Sequence, residues 1–126
     1  MHRADFVWVN FDHNFAPGDV EHRQFNLDAA PVEASAVPGL PSKARAVGYL
    51  LIQASGVGHN NHQIEINGND LPAFDLPAQS GPDRFLWMDR IPPGFLQAGN
   101  NRLTIRNVAP ADRFRIDNVV VSWREA

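Results

Sequence analysis

Apolar positions in this chain come in short runs, separated by "APGD", "VPGLP", "SGVG", "INGN", "SGPD", "PPG" and "QAGNN". Turn residues return too often for a long amphipathic helix. Short runs rich in Val, Ile, Phe, Tyr and Trp between Gly and Pro clusters are the pattern of an antiparallel sandwich or barrel. They predict strands at Phe6 to Phe11, Arg23 to Asp28, Ala44 to Ala54, Gln63 to Asn67, Asp70 to Phe74, Arg84 to Arg90, Arg102 to Asn107 and Phe114 to Trp123. About eight strands is the count of a jelly roll, so the expected fold class is all-β, an antiparallel β-sandwich forming a single domain over residues 1–126.

The phase of each run says which faces are covered. "AVGYLLIQA" is apolar at both alternating sets of positions, the pattern of a central strand covered on both sides. "RLTIR" puts Leu103 and Ile105 on one side and Arg102, Thr104 and Arg106 on the other, which predicts one wet face. In "FRIDNVVVSW" the apolar set runs through Phe114 and Ile116 and then shifts to Val119, Val121 and Trp123. One extra residue at Asp117-Asn118, a β-bulge, explains the slip; a strand buried on both faces is the other account. In "HQIEINGNDLP" alternation stops at Asn67-Gly68, a pair that tolerates positive φ and so forms a tight hairpin. Ile64 and Ile66 then face the core, and Gln63 and Glu65 face out.

The order of "HQIEINGNDLP", "FLWMDRIPPGFLQAGNNRLTIR" and "FRIDNVVVSW" resembles the galactose-binding-like jelly rolls, of carbohydrate-binding-module type, appended to many glycoside hydrolases and polysaccharide lyases. There, too, a strand ending in Asn-Gly is followed by a proline-bearing loop, a Gly-x-Asn turn and a last strand with an Ile-Asp-Asn-Val-like segment. The match spans roughly residues 44–123. It implies the fold first and carbohydrate binding second, because such folds host sugar-binding, protein-binding and structural domains alike.

Composition narrows the field. With 44% hydrophobic and 20% charged residues among 126, the chain is apolar enough to fold. Its net charge is −3, and its 11 Lys and Arg are scattered, Lys43 being the single lysine. No basic stripe marks a nucleic-acid partner. Cysteine is absent, which removes disulfides and thiolate metal sites and leaves the redox compartment undetermined. No apolar run approaches membrane-spanning length, so no membrane partner is expected. "MHRADFVWVN" lacks an apolar run followed by a small-residue cleavage site, so the expected location is the cytoplasm or a larger assembly.

Candidate chemistry is sparse. His13, His22, His59 and His62 raise a metal, but "HNNH" precedes a strand rather than lying on a helix, and no carboxylate completes the motif. That placement allows His62 to point inward while His59 sits on the loop. No serine lies in a Gly-x-Ser-x-Gly elbow, and 14 acidic residues alone do not make a glycosidase pair. The protein is therefore read as a non-enzyme without a cofactor. One exception comes from the resemblance: related jelly rolls hold a structural calcium partly through an acidic residue near the last strand, here Asp117, although calcium wants six to eight oxygens and no acidic cluster supplies them.

A sugar site needs an aromatic plate beside polar groups. Trp87, with Asp89 and Arg90 close by, is the candidate plate, burial being its alternative, while Trp8 and Trp123 read as core. A polar rim is expected from Asp12, His13 and Asn14 after the first strand and His59, Asn60, Asn61 and His62 before the hairpin; the other duty for such residues is to satisfy loop backbone. The expected ligand set is Asp12, His13, Asn14, His59, Asn60, His62, Trp87 and Arg90. Carbohydrate binding is the first reading. The second is a structural or protein-interaction domain, a homo-oligomer included, and a contiguous exposed apolar face would favour it.

Overall fold

A computed structural model of the chain describes residues 3–31, 47–60, 62–71, 76–78 and 83–125. Eight strands follow in order: β1 (Arg3–Phe15), β2 (Val20–Leu27), β3 (Gly48–Ser55), β4 (Gln63–Ile66), β5 (Asn69–Asp70), β6 (Arg84–Ile91), β7 (Gly99–Arg106) and β8 (Phe114–Glu125). They pair antiparallel in two four-stranded sheets, ordered β1-β8-β3-β6 and β2-β7-β4-β5. That order is the jelly roll, and the described residues contain no helix. Residues 44–46 and 72–74 of the expected strands, and Asn61 of the expected rim, lie outside the described residues.

Alternation builds the core. Val9, Phe11 and Phe15 from β1, Leu50, Ile52 and Ala54 from β3, Ile64 and Ile66 from β4, Leu103 and Ile105 from β7, and Val119, Val121 and Trp123 from β8 fill the space between the sheets. Asn67 and Gly68 take φ of 53° and 81° between paired Ile66 and Asn69, the tight hairpin that two positive-φ residues permit. A second tight turn, Ala16-Pro17-Gly18-Asp19, joins β1 to β2: Gly18 has φ 83° and the Asp19 N–H donates to the Ala16 carbonyl at 3.0 Å.

The expected slip in β8 is a bulge, and it spreads across the sheet. Between matched pairs, β3 takes one step from Gln53 to Ala54, β8 two from Asn118 to Ile116, and β1 three from Asn10 to His13. Each strand is a residue longer than its neighbour there, so the sheet bends at that level. Asp12 adapts with φ of 43°. On the open side of β1, Arg23 of β2 reaches across from the other sheet, donating to the Phe11 carbonyl at 2.8 Å and the Asn10 carbonyl at 3.2 Å, with its guanidinium 4.9 Å from the Phe11 ring centre. An edge carbonyl pair that would template another strand is thus capped.

Two expectations fail on the same physical point. Trp8 is 62% exposed rather than core, and β3 is central yet covered on one face only: Leu50 and Ile52 are buried while Tyr49 is 42% exposed. An apolar side chain at an alternate position of a sheet is buried only if something lies on that side. On β7, the expected wet face is wet at Arg102, but Thr104 is covered, its hydroxyl 2.7 Å from His22 Nδ1.

Candidate functional site

The two outer faces differ sharply in chemistry. Outside β2-β7-β4-β5 stand His22, Gln24, Asn26, Asn100, Arg102, Thr104, Arg106, Gln63, Glu65 and Asp70, with Val20 the apolar exception. That is the ordinary solvated face of an antiparallel sheet. Outside β1-β8-β3-β6 the rows read differently. One runs Phe6, Ser122, Tyr49, Arg90; the next Trp8, Val120, Leu51, Met88; the next Asn10, Asn118, Gln53, Leu86. Phe6, Trp8, Tyr49, Leu86 and Met88 are all exposed, by 67%, 62%, 42%, 65% and 57%. Five large apolar side chains are thus gathered on one face of one sheet, the kind of contiguous exposed patch that a solvated sheet face ordinarily lacks.

Beyond the amide row, where Asn118 donates to Gln53 at 3.0 Å, the face turns ionic at the bulge. Arg115 donates from Nε to Asp117 at 2.7 Å and from Nη2 to Asp12, and Arg84 lies 3.4 Å from the second Asp117 oxygen. Asp117 first and Asp12 second hold the Arg115 guanidinium above its ordinary pKa. With its carboxylate engaged by two arginines, Asp117 is the pivot of an ion-pair cluster. Among the described residues no three His, Cys, Asp or Glu side chains gather closely enough to hold a metal. Next to this cluster a hollow of about 380 Å³ opens at the loop end of the sandwich, edged by Asn14, Ser55, Arg113 and Arg115. At the opposite end a hollow of about 290 Å³ lies among Gly48, Tyr49, Ser122, Trp123 and Arg124.

The expected ligand residues are divided by this geometry. Asp12 and Asn14 join Arg115 at the bulged end of the aromatic sheet, Asn14 accepting from Nη1 at 3.4 Å. His13, one residue between them, points the other way, its Nε2 3.4 Å from Asp19 and 3.3 Å from Glu21. His59 is exposed on the β3–β4 loop, as expected, and Asn60 accepts the Ala78 N–H at 2.8 Å, a backbone duty. His62 is fully buried, its ring 4.4 Å from that of Phe114 and its Nε2 bonded to Asp112. Both nitrogens of that imidazole are occupied, so the Asp112–His62 pair has no free base to offer a substrate. Trp87 pairs with Ile52 and so faces inward, half-buried against the core. Arg90 faces out, and the exposed ring beside it is its pair partner Tyr49.

Sequence reasoning missed Phe6, Trp8, Tyr49, Leu86 and Met88. Their signal was visible in "DFVWVN", "YLLIQ" and "RFLWM", where apolar residues occupy both alternating sets. In "YLLIQ" and at Trp8 that signal predicts burial, and in "RFLWM" it singles out Trp87 alone.

A family model described as a family of unknown function (DUF7383) matches residues 3–125. No curated protein matches the chain in sequence. Among solved structures, dimeric latent PorU from Porphyromonas gingivalis is similar with a TM-score of 0.65 at 8% identity, over 98% of this chain and 13% of PorU. A GH26-CBM35 beta-(1,4)-mannanase from Podospora anserina is similar with a TM-score of 0.51 at 14% identity, over 89% of this chain and 20% of the mannanase. A family 35 carbohydrate binding module from Clostridium thermocellum has a TM-score of 0.45 at 17% identity, over 94% of this chain and 90% of the module. The chain thus spans a small fraction of the first two proteins, and at these identities the likeness is one of fold.

Proposed function

The chain belongs to DUF7383, a family of unknown function, and from that premise we propose that it is a non-catalytic module binding carbohydrate on the outer face of the β1-β8-β3-β6 sheet. The observation that carries this reading is the exposure of Phe6, Trp8 and Tyr49 on one sheet face beside the amides of Asn10, Asn118 and Gln53. A pyranose ring offers apolar C–H patches ringed by hydroxyls. Exposed rings accept the patches and neighbouring amides the hydroxyls. The fold likeness to part of a mannanase that carries a CBM35 adds to this reading without identifying the sugar.

Aliphatic Leu86 and Met88 at the β6 side of the same face favour a second reading, in which another protein docks there. The reading that invokes sugar needs no metal. Its experiment is a glycan array on the purified chain, with light scattering for mass. Trp8→Ser/Tyr49→Ser should lose the array signal while far-ultraviolet circular dichroism is unchanged. An empty array together with a dimer that Met88→Glu dissociates would replace sugar by protein docking.

A further inference from the structure

Resting on that reading, we infer that the ligand is an extended β-(1→4)-linked polysaccharide chain lying across the strands along the row Phe6, Ser122, Tyr49 and Arg90, and not a terminal sugar held at the loop end. Register sets the spacing. Phe6 pairs with Ser122, Ser122 with Tyr49 and Tyr49 with Arg90, so the two aromatic rings stand on β1 and β3 with β8 between them. Strands lie about 4.8 Å apart, which puts the two attachment points about 10 Å apart. In a β-(1→4)-linked chain successive rings are turned over, and alternate rings, which present the same apolar face, repeat at close to that distance. Two alternate sugars can therefore stack on Phe6 and Tyr49 while the sugar between them meets the Ser122 hydroxyl.

The hollow beside this row has the second requirement, room. It lies among Gly48, Tyr49, Ser122, Trp123 and Arg124, and a Cβ built on Gly48 would fall 2.2 Å from the Ser122 carbonyl oxygen. Gly48 belongs to the inward set with Leu50 and pairs with buried Trp123, so what its missing Cβ permits is the close approach of β3 to β8 beneath this row. The hollow itself stands beside Tyr49 and can take exocyclic hydroxymethyl groups, with Arg124 at its edge. No carboxylate stands in the row, and the side chains of Ser122, Tyr49 and Arg90 carry donors that hydroxyl oxygens can accept.

Calorimetric titration with cello- and manno-oligosaccharides, from monosaccharide to hexasaccharide, tests the inference. Affinity should climb from the disaccharide to at least the tetrasaccharide, and Phe6→Ala and Tyr49→Ala should each weaken hexasaccharide binding about tenfold. Both side chains are exposed, so the fold should survive, and near-ultraviolet circular dichroism checks it. A monosaccharide that binds as tightly as the hexasaccharide, with both variants still weakened, would overturn the chain-binding inference and leave the sheet-face carbohydrate site standing; binding that neither variant changes would overturn the sheet-face site as well. Absence of binding to these probes and to an array of unrelated glycans would overturn both.

Discussion

The imidazole of His62 donates from Nε2 to Asp112 at 2.7 Å and accepts the Val108 N–H at Nδ1 at 3.3 Å, so two hydrogen bonds fix its tautomer. Asp112 also accepts the Gly58 N–H, at 3.1 and 3.2 Å to its two oxygens. One buried ring and one carboxylate thereby tie the β3–β4 loop to the β7–β8 loop. Asp112→Ala would leave the buried Nε2–H without an acceptor, at a cost of about 2 to 3 kcal/mol. Urea denaturation should show that loss, while oligosaccharide affinity at low urea should stay at the wild-type value. A variant as stable as wild type would mean the two loops do not need this tie.

Trp87 is expected to act on stability alone. Its indole lies against the core, and its Nε1 is buried with no acceptor among the described residues. Trp87→Phe keeps the ring and removes the unmatched donor, so its denaturation midpoint should be near wild type; Trp87→Ala should cost about 2 to 4 kcal/mol. Neither should change glycan affinity in the folded protein. Loss of binding in Trp87→Phe would bring that indole back as a ligand contact.

At the β4–β5 hairpin the strain is in the backbone alone, since a Cβ on Gly68 would meet nothing within 4 Å. Gly68→Val should therefore cost about 1 to 3 kcal/mol through φ, with no steric clash to relieve. Asn67 adds a separate contribution: its amide donates to the Phe95 carbonyl at 2.9 Å and to Asn101 at 2.8 Å, and its oxygen accepts the Arg102 N–H at 2.9 Å. Asn67→Gly would keep the turn and lose those bonds, so chemical denaturation of the two variants separates turn strain from anchoring.

Acid should weaken the β1–β2 turn through Asp19. The Ala16 N–H donating to its carboxylate at 2.8 Å, then His13 beside it, outweigh desolvation and hold its pKa below the ordinary carboxylate value. A depressed folded pKa stabilises the fold above the unfolded pKa, and the contribution disappears as pH falls through the folded value. Asp19→Asn should accordingly be less stable than wild type at about pH 7, and the gap should close as the pH drops below about 4. Midpoints that stay equally far apart at both ends would remove the carboxylate from the turn's stability.

Alternation and turn chemistry made most of the architecture legible. Asn67-Gly68 located the hairpin because few residue pairs accept two positive φ values, and the shift from Ile116 to Val119 located the bulge because a sheet's side-chain period is two. The inward set of β4 and β7 followed from the same period. The resemblance to galactose-binding-like jelly rolls, read from the order of the turns, agrees with the sheet order that the strands adopt. The rim was only half legible: Asp12 and Asn14 do share one end of the sheet, but His13 and His62 turn inward, where partners distant in sequence, Asp19 and Asp112, take them.

By itself, the sequence determined a two-sheet all-β chain, its turns, its bulge and the identity of the apolar positions. Only the tertiary structure decided which of those positions are core. Phe6 and Val7, Trp8 and Val9, or Leu50 and Leu51 are interchangeable to a pattern of hydrophobicity, because local alternation records that both faces are apolar and not what lies against each. Packing one sheet on the other buried Val9, Leu50 and Ile52 and left Phe6, Trp8 and Tyr49 in solvent. Burial is a property of the neighbouring layer, and that layer is assembled from strands far apart in the chain.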